Sequence, residues 1–226
     1  MYIIIDWRIP TEAKKNLSKY GDIIEFKTEN IVYNAISGHP DIFITQIGQK
    51  FILAPNIPEK YIKLLSDLAD IEIGEKKVGP KYPETTYYNC VINNNFLIHK
   101  KGFTDPLVLK KTNDKKFINV NQSYTRCSLL EFNNFFITSD MGIYKKLKNI
   151  SETIFVNPDK IKIPELKHGF FGGTCGVFEN KIFFIGSLSF LDNEKHIKEF
   201  VESKGYKIIE LYNGPLYDGG GIFFIK

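Results

Sequence analysis

The sequence predicts an α/β ring of five hairpin–helix–strand units, with N- and C-terminal strands pairing to complete the fifth. Three observations predict it. Apolar, strand-like runs broken by Gly or Asn turns recur along the 226 residues. Each pair of runs is followed by a helical pattern and one further alternating run. Two runs, Tyr2-Ile3-Ile4-Ile5 and Ile222-Phe223-Phe224-Ile225, lack a hairpin partner of their own.

The first unit is read from Asp41. Asp41–Ile47 is a strand, Gly48-Gln49-Lys50 a turn and Phe51–Ala54 a second strand. Asn56 with Glu59 reads as a capping box. Tyr61, Leu64 or Leu65, and Leu68 recur at helical spacing, and Asp70–Gly74 closes the unit. In the second unit Cys90-Val91-Ile92 and Phe96–His99 flank an Asn turn, Asp105-Pro106 opens a helix with Pro at its first position, and Lys116–Val120 is the strand. In the third, Cys127–Phe132 and Phe135–Thr138 flank Asn133-Asn134, Asp140 caps a helix through Leu147, and Thr153–Val156 follows. In the fourth, Cys175–Phe178 and Ile182–Ile185 flank a turn. Asp192 caps a helix carrying Ile197, Phe200 and Val201, Gly205 ends it, and Tyr206–Glu210 follows.

The remaining pieces make a fifth unit if the C-terminal strand is placed before the N-terminal one. Gly219–Lys226 then pairs with Tyr2–Ile5, a helix runs from Pro10 to Tyr20 with Gly21 as its stop, and Asp22–Phe26 completes the sheet. An open row of units would leave Ile- and Phe-rich edges unpaired, and ring closure removes them.

Composition bounds the rest. A chain that is 43% hydrophobic and 25% charged reads as one globular domain over residues 1–226. No apolar run approaches the roughly 18 residues of a membrane helix, so no membrane partner is expected. The net charge of +4 is mild, and clusters such as Lys145, Lys146 and Lys148 read as solvated helix faces, so no nucleic-acid partner is expected. The first residues hold neither a basic stretch nor an apolar run of leader length, which points to a cytoplasmic protein with reduced thiols.

The Gly-rich and polar segments fall at one place in the unit, just before the first hairpin strand. They are Ser37-Gly38-His39-Pro40-Asp41, Tyr124-Thr125-Arg126, His168 through Thr174, and Tyr217-Asp218-Gly219-Gly220-Gly221. Rotation about one axis brings such segments to one rim. The candidate ligand-binding residues there are His39, Asp41, Arg126, Thr174, Asp218, Gly219 and Gly220. Against this stands a plain packing role for the glycines near a crowded axis. Cys127 lies eight residues before Phe135, Cys175 eight before Phe183, and Phe43 eight before Phe51, which reads as one apolar slot holding buried thiols. The competing reading is that Arg126 activates Cys127 as a nucleophile. His39, His99, His168 and His196 are scattered singly, with no metal-binding spacing, so no metal and no cofactor are expected.

The five-unit layout, the closure by the termini and the Gly-rich final strand resemble the pentein fold of guanidino-group modifying enzymes. Ser37–Asp41, Gly172-Gly173-Thr174-Cys175-Gly176 and Gly214–Gly220 are most similar to a bacterial pentein branch of unknown function. The resemblance implies a Cys thiolate that attacks a guanidinium carbon, a His that carries protons, and carboxylates that grip the planar cation. The family's Cys stands a few residues after a Gly-rich run near the C-terminus. Here Phe224 or Ile225 falls there, and neither can attack. The family's His opens the fourth unit, where this chain has His168, followed by Gly169-Phe170 in place of an acid. Asp41 matches a substrate-reading carboxylate.

Three functions follow as expectations. The first is a pentein-fold protein that lacks the usual Cys and binds a small polar ligand, guanidino or amino-acid-like, in a central pocket. The second is a hydrolase or deiminase-like enzyme whose nucleophile is Cys127 or a water activated by His168. The third is a protein-binding ring like the ribosome anti-association factor of the same fold. The sequence alone leaves catalysis, ligand and oligomeric state open.

Overall fold

The computed structural model describes residues 1–226. The chain opens with β1 (Tyr2–Asp6), α1 (Thr11–Leu17) and β2 (Asp22–Phe26). The first complete unit is β3 (Ile44–Ile47), β4 (Lys50–Leu53), α2 (Glu59–Ser66) and β5 (Asp70–Ile73). The second is β6 (Val91–Ile92), β7 (Phe96–His99), α3 (Pro106–Lys111) and β8 (Lys116–Asn119). The third begins with a single helical turn, α4 (Thr125–Ser128), before β9 (Leu129–Phe132), β10 (Phe135–Thr138), α5 (Met141–Leu147) and β11 (Thr153–Phe155). The fourth is β12 (Cys175–Phe178), β13 (Lys181–Phe184), α6 (Glu194–Ser203) and β14 (Lys207–Glu210), and β15 (Phe223–Ile225) comes last.

The strands form five three-stranded sheets. In each, the first strand pairs antiparallel with the second, and the second pairs parallel with the third across its helix. The fifth sheet has the same plan, built from the two ends. β15 pairs antiparallel with β1, Ile4 opposite Phe223, and β1 pairs parallel with β2. Neighbouring sheets touch all the way round. Thr45 Oγ1 donates to the Tyr88 carbonyl at 2.5 Å, and Asn93 Nδ2 to Glu131 Oε1 at 2.9 Å. β9 packs on β12, β12 on β15, and Gln46 Nε2 reaches the Phe224 carbonyl at 3.4 Å.

Local chemistry explains most boundaries. Asn133 and Asn134 both adopt positive φ, as a two-residue hairpin turn requires. Asp105 and Asp140 cap their helices, accepting from Leu107 N and Ile143 N at 2.8 Å. Gly205 stops α6 at φ +81°. Two expected caps differ. Asn56 turns away from α2 and makes a paired contact with the backbone of Val78, at 2.7 and 2.9 Å, so Pro58 precedes α2 and the helix has no side-chain cap. Asp192 pairs with Lys160, and Asn193 stands before α6. Pro40–Ile42 forms a tight 3-10 turn, so the first strand of its hairpin begins only at Ile44.

The shared apolar slot is also corrected. Phe132 pairs with Phe135 across one turn, but Phe178 pairs with Lys181 across the other. Equal spacing therefore lands on different positions: Cys175 begins β12 opposite Phe184, whereas Cys127 lies in α4, two residues before β9. All three thiols are free and buried.

One buried polar group sets a pH dependence. His99 Nε2 lies 2.9 Å from the Ser123 carbonyl, so it carries the proton, and Nδ1 accepts from Thr104 Oγ1 at 2.8 Å. Burial lowers its pKa to about 4. Between pH 6.5 and 4 the unfolded chain takes up a proton that the folded one refuses. The contribution is complete above pH 6.5 and falls by roughly 3 kcal/mol on the way to pH 4. Denaturant titrations at pH 7 and pH 4 are expected to show that loss in the wild type, and a correspondingly smaller loss in His99→Gln.

Candidate functional site

The first strands β3, β6, β9, β12 and β15 line the axis, and the segments that lead into them meet at one end of it. Asp41 lies in the turn before β3, Asn89 just before β6, Cys127 in α4, Gly172–Thr174 before β12, and Asp218–Gly221 before β15. The structure brings together His39, Asp41, Cys127 and Asp218, all buried.

Cys127 Sγ donates to Asp41 Oδ2 at 2.9 Å. Asn89 holds this pair: its Nδ2 points at Cys127 Sγ and at the Asp41 carbonyl, both at 3.3 Å, and its Oδ1 accepts Cys127 N–H at 3.1 Å. Asp218 accepts from Phe170 N at 2.8 Å and Gly220 N at 3.1 Å. His39 stands between acids, with Nε2 3.8 Å from Asp6 Oδ2 and Nδ1 3.9 Å from Asp218 Oδ1. Neither ring nitrogen, nor Asp41 Oδ1, has a hydrogen-bond partner. Buried polar atoms are nearly always paired, so these three are exceptions that a bound water or polar group would satisfy. Gly220 and Gly221, at φ +68° and +79°, let the backbone turn here, and a Cβ on Gly220 would strike His39.

Asp6 is also buried and is neutralised by Arg8, with Nε and Nη2 at 3.0 and 2.6 Å from its two oxygens. Asp41 and Asp218 have no such partner. Burial pushes Asp41 up to about 6, against the opposing pull of the Arg126 charge and the Cys127 hydrogen bond. Burial likewise pushes Asp218 up to about 6, against His39 and the Phe170 N–H. Burial raises the Cys127 thiol well above its usual range, and the Asp41 charge adds to that. Burial lowers His39, overcoming the upward pull of Asp218 and Asp6. Burial thus favours the neutral forms of the thiol and the imidazole and works against the charge on both carboxyls, which lack a paired cation. Nitrogen, sulfur and oxygen donors of His39, Cys127 and Asp218 lie within 4.8 Å of one another, a mixed set that could also hold a zinc-like ion.

The other predicted residues lie nearby in different settings. The Thr174 hydroxyl donates to the Phe171 carbonyl at 2.7 Å. Gly219 N donates to the Gly173 carbonyl at 3.0 Å. His168 is half-buried, with Nδ1 3.2 Å from the Gly169 carbonyl. Arg126 points the other way along the axis from Cys127, into a cavity of about 250 Å³ between the first strands. Asn89, Asp6, Arg8 and Tyr33 escaped the sequence reading, and Tyr124 entered it only as part of the segment before the third unit. The two tyrosine hydroxyls lie 3.4 Å apart, and both rings are close enough to feel the charge of Cys127. The one available signal was position, since Asn89 fills the pre-strand place in the second unit.

Solved structures share this architecture. The DDAH of Pseudomonas aeruginosa, complexed with citrulline, aligns with 97% of this chain and 92% of its own at TM-score 0.58 and 8% identity. An inosamine-phosphate amidinotransferase from Streptomyces griseus covers 97% of this chain and 81% of its own at TM-score 0.53 and 9% identity. An amidinotransferase of saxitoxin biosynthesis from Microseira wollei covers 92% and 87% at TM-score 0.54 and 11% identity. These likenesses establish the pentein fold. No curated protein matches the sequence. A family of unknown function, DUF6873, matches residues 4–223, and with nearly every residue inside that match the chain belongs to this family.

Proposed function

We propose that the closed end of the axis binds a small guanidino or amidino compound and that Cys127 is the nucleophile of a hydrolytic C–N cleavage there. The observation that carries this reading is the thiol of Cys127 in hydrogen bond with Asp41, with His39 and Asp218 beside it. A planar cation between Asp41 and Asp218 supplies the missing positive charge and meets two carboxylates suited to its N–H groups. Its arrival favours the thiolate electrostatically. Sγ then attacks the central carbon as Asp41 takes the thiol proton, and an S–C bond forms. That proton goes to the leaving amine as the C–N bond breaks. Water cleaves the S–C bond, giving an oxo product and restoring the thiol. Cys127 thus takes the part that Phe224 and Ile225 cannot, from a different unit of the ring. The fold neighbours support the substrate class, since they include a DDAH with citrulline and two amidinotransferases.

Calorimetric titration with arginine, agmatine and related guanidino and amidino compounds, paired with assays for released amine or ammonia, tests the reading. Binding and turnover are expected in the wild type. Cys127→Ala is expected to keep binding and lose turnover by about a thousandfold or more. Silence across the panel would remove the guanidino reading, and turnover surviving in Cys127→Ala would remove the thiol.

A further inference from the structure

A second site lies on the same axis, beyond Arg126. The cavity of about 250 Å³ between the five first strands opens toward the hairpin turns, near Gly48 and Glu131, and none of His39, Asp41, Cys127 or Asp218 lines it. Arg126 does. Its Nη1 donates to the Gly172 carbonyl at 2.9 Å, its Nη2 reaches the Cys175 carbonyl at 3.5 Å, and its guanidinium lies 5.2 Å from the centroid of the Phe223 ring. Neither bond is to a carboxylate, so a half-buried cation faces the cavity with donors left over. Ile44, Leu130, Val177 and Ile222 contribute apolar side chains to walls whose exposed surface is otherwise mostly polar. Glu131, held by Asn93 and by Asn134 N–H, also borders the cavity and disfavours a second negative charge.

We infer that this cavity is a binding site for a small monocarboxylate with an apolar body, gripped at its carboxylate by Arg126 and sensed by the neighbouring Cys127. The sensing has a direct route. Arg126 and Cys127 are consecutive residues of the single turn α4, one side chain turned to the cavity and the other to the buried cluster. An anion on Arg126 offsets a positive charge that acts on Asp41, the hydrogen-bond partner of the thiol, and so disfavours the thiolate form of Cys127. The inference does not rest on guanidino chemistry at the cluster.

Titrations of isovalerate and phenylacetate, with inorganic phosphate and succinate as controls, are the test, run on the wild type and on Cys127→Ala. Both proteins are expected to bind the monocarboxylates and not the controls. Arg126→Gln is expected to weaken binding by about tenfold or more, and Arg126→Lys to restore part of it. Since Arg126 also holds two carbonyls, Val177→Phe, which fills the cavity without touching the guanidinium, is expected to abolish binding independently. Saturating isovalerate is expected to slow alkylation of Cys127 by iodoacetamide several-fold. No binding at tens of millimolar, undiminished binding in Val177→Phe, or equal binding of phosphate would overturn the site. An unchanged alkylation rate would overturn the link to Cys127. Binding of isovalerate by Cys127→Ala leaves the inference standing even where the guanidino panel is silent.

Discussion

Deleting residues 222–226 is expected to abolish cooperative folding. The segment supplies β15, and Ile222, Phe223, Phe224 and Ile225 are all buried. Burying each such side chain is worth roughly 1.5–3 kcal/mol, so the four together approach the roughly 5–15 kcal/mol that holds a typical domain folded. The loss is larger than the sum of side chains, because β15 is hydrogen-bonded to β1 and packed against β12. Its removal leaves both of those strands with a bare edge. A milder variant grades the effect. Phe224 sits 5.1 Å from both Phe178 and Phe183, ring centroid to ring centroid. Phe224→Ala is expected to cost about 3–5 kcal/mol and to lower Tm by roughly 10 °C. Circular dichroism and calorimetry read both variants. A sharp thermal transition in the truncated chain would show that the other four sheets stand without the fifth.

Asp41→Asn is expected to stabilise the protein at pH 7.5 while removing its affinity for a cationic ligand. The Asp41 carboxyl is fully buried, one oxygen has no partner, and its pKa rises from 3.8 to about 6. A carboxyl raised in the folded state is a burden above that pKa. The burden shrinks as pH falls through about 6 and is gone below the ordinary value of 3.8. Removing the charge therefore yields on the order of 2 kcal/mol at pH 7.5, or about 5 °C in Tm, and nothing near pH 3.5. Differential scanning calorimetry across that range reads the crossing. Destabilisation at pH 7.5 would mean that the carboxylate is held by something other than the thiol and Asn89. Such a trade of stability for binding is what the proposed cation site would require.

The ring itself was legible because each unit repeats the same local signals. Asn133-Asn134 and Gly48 mark turns, Asp105 and Asp140 mark helix starts, and the unpartnered runs at Tyr2–Ile5 and Ile222–Ile225 could satisfy each other. Where a tertiary contact competed with a local signal, the sequence misled: Asn56 had the spacing of a cap, but Val78 offered both a donor and an acceptor. The thiol slot misled for a different reason: the spacings were counted from residues that are not equivalent, since Phe135 begins β10 whereas Phe183 is the third residue of β13. The cluster was half legible. His39, Asp41 and Asp218 were read as converging on one rim, but Cys127 was a candidate only beside Arg126, and no spacing placed its thiol against Asp41. Asn89 lay in the unit with the shortest hairpin, and Asp6 ended an apolar strand, so neither stood out.

The pairing of β1 with β15 also governs the order of events during synthesis. Ile4 leaves the ribosome well before its partner Phe223, with four complete sheets made in between. A nascent chain thus carries an Ile-rich edge with nothing to cover it while the four intervening sheets are made, and the β1–β15 pairing is a very long-range contact. Premature termination would leave a sticky fragment in place of a smaller version of the protein. The segment that carries β15 acts as the clasp.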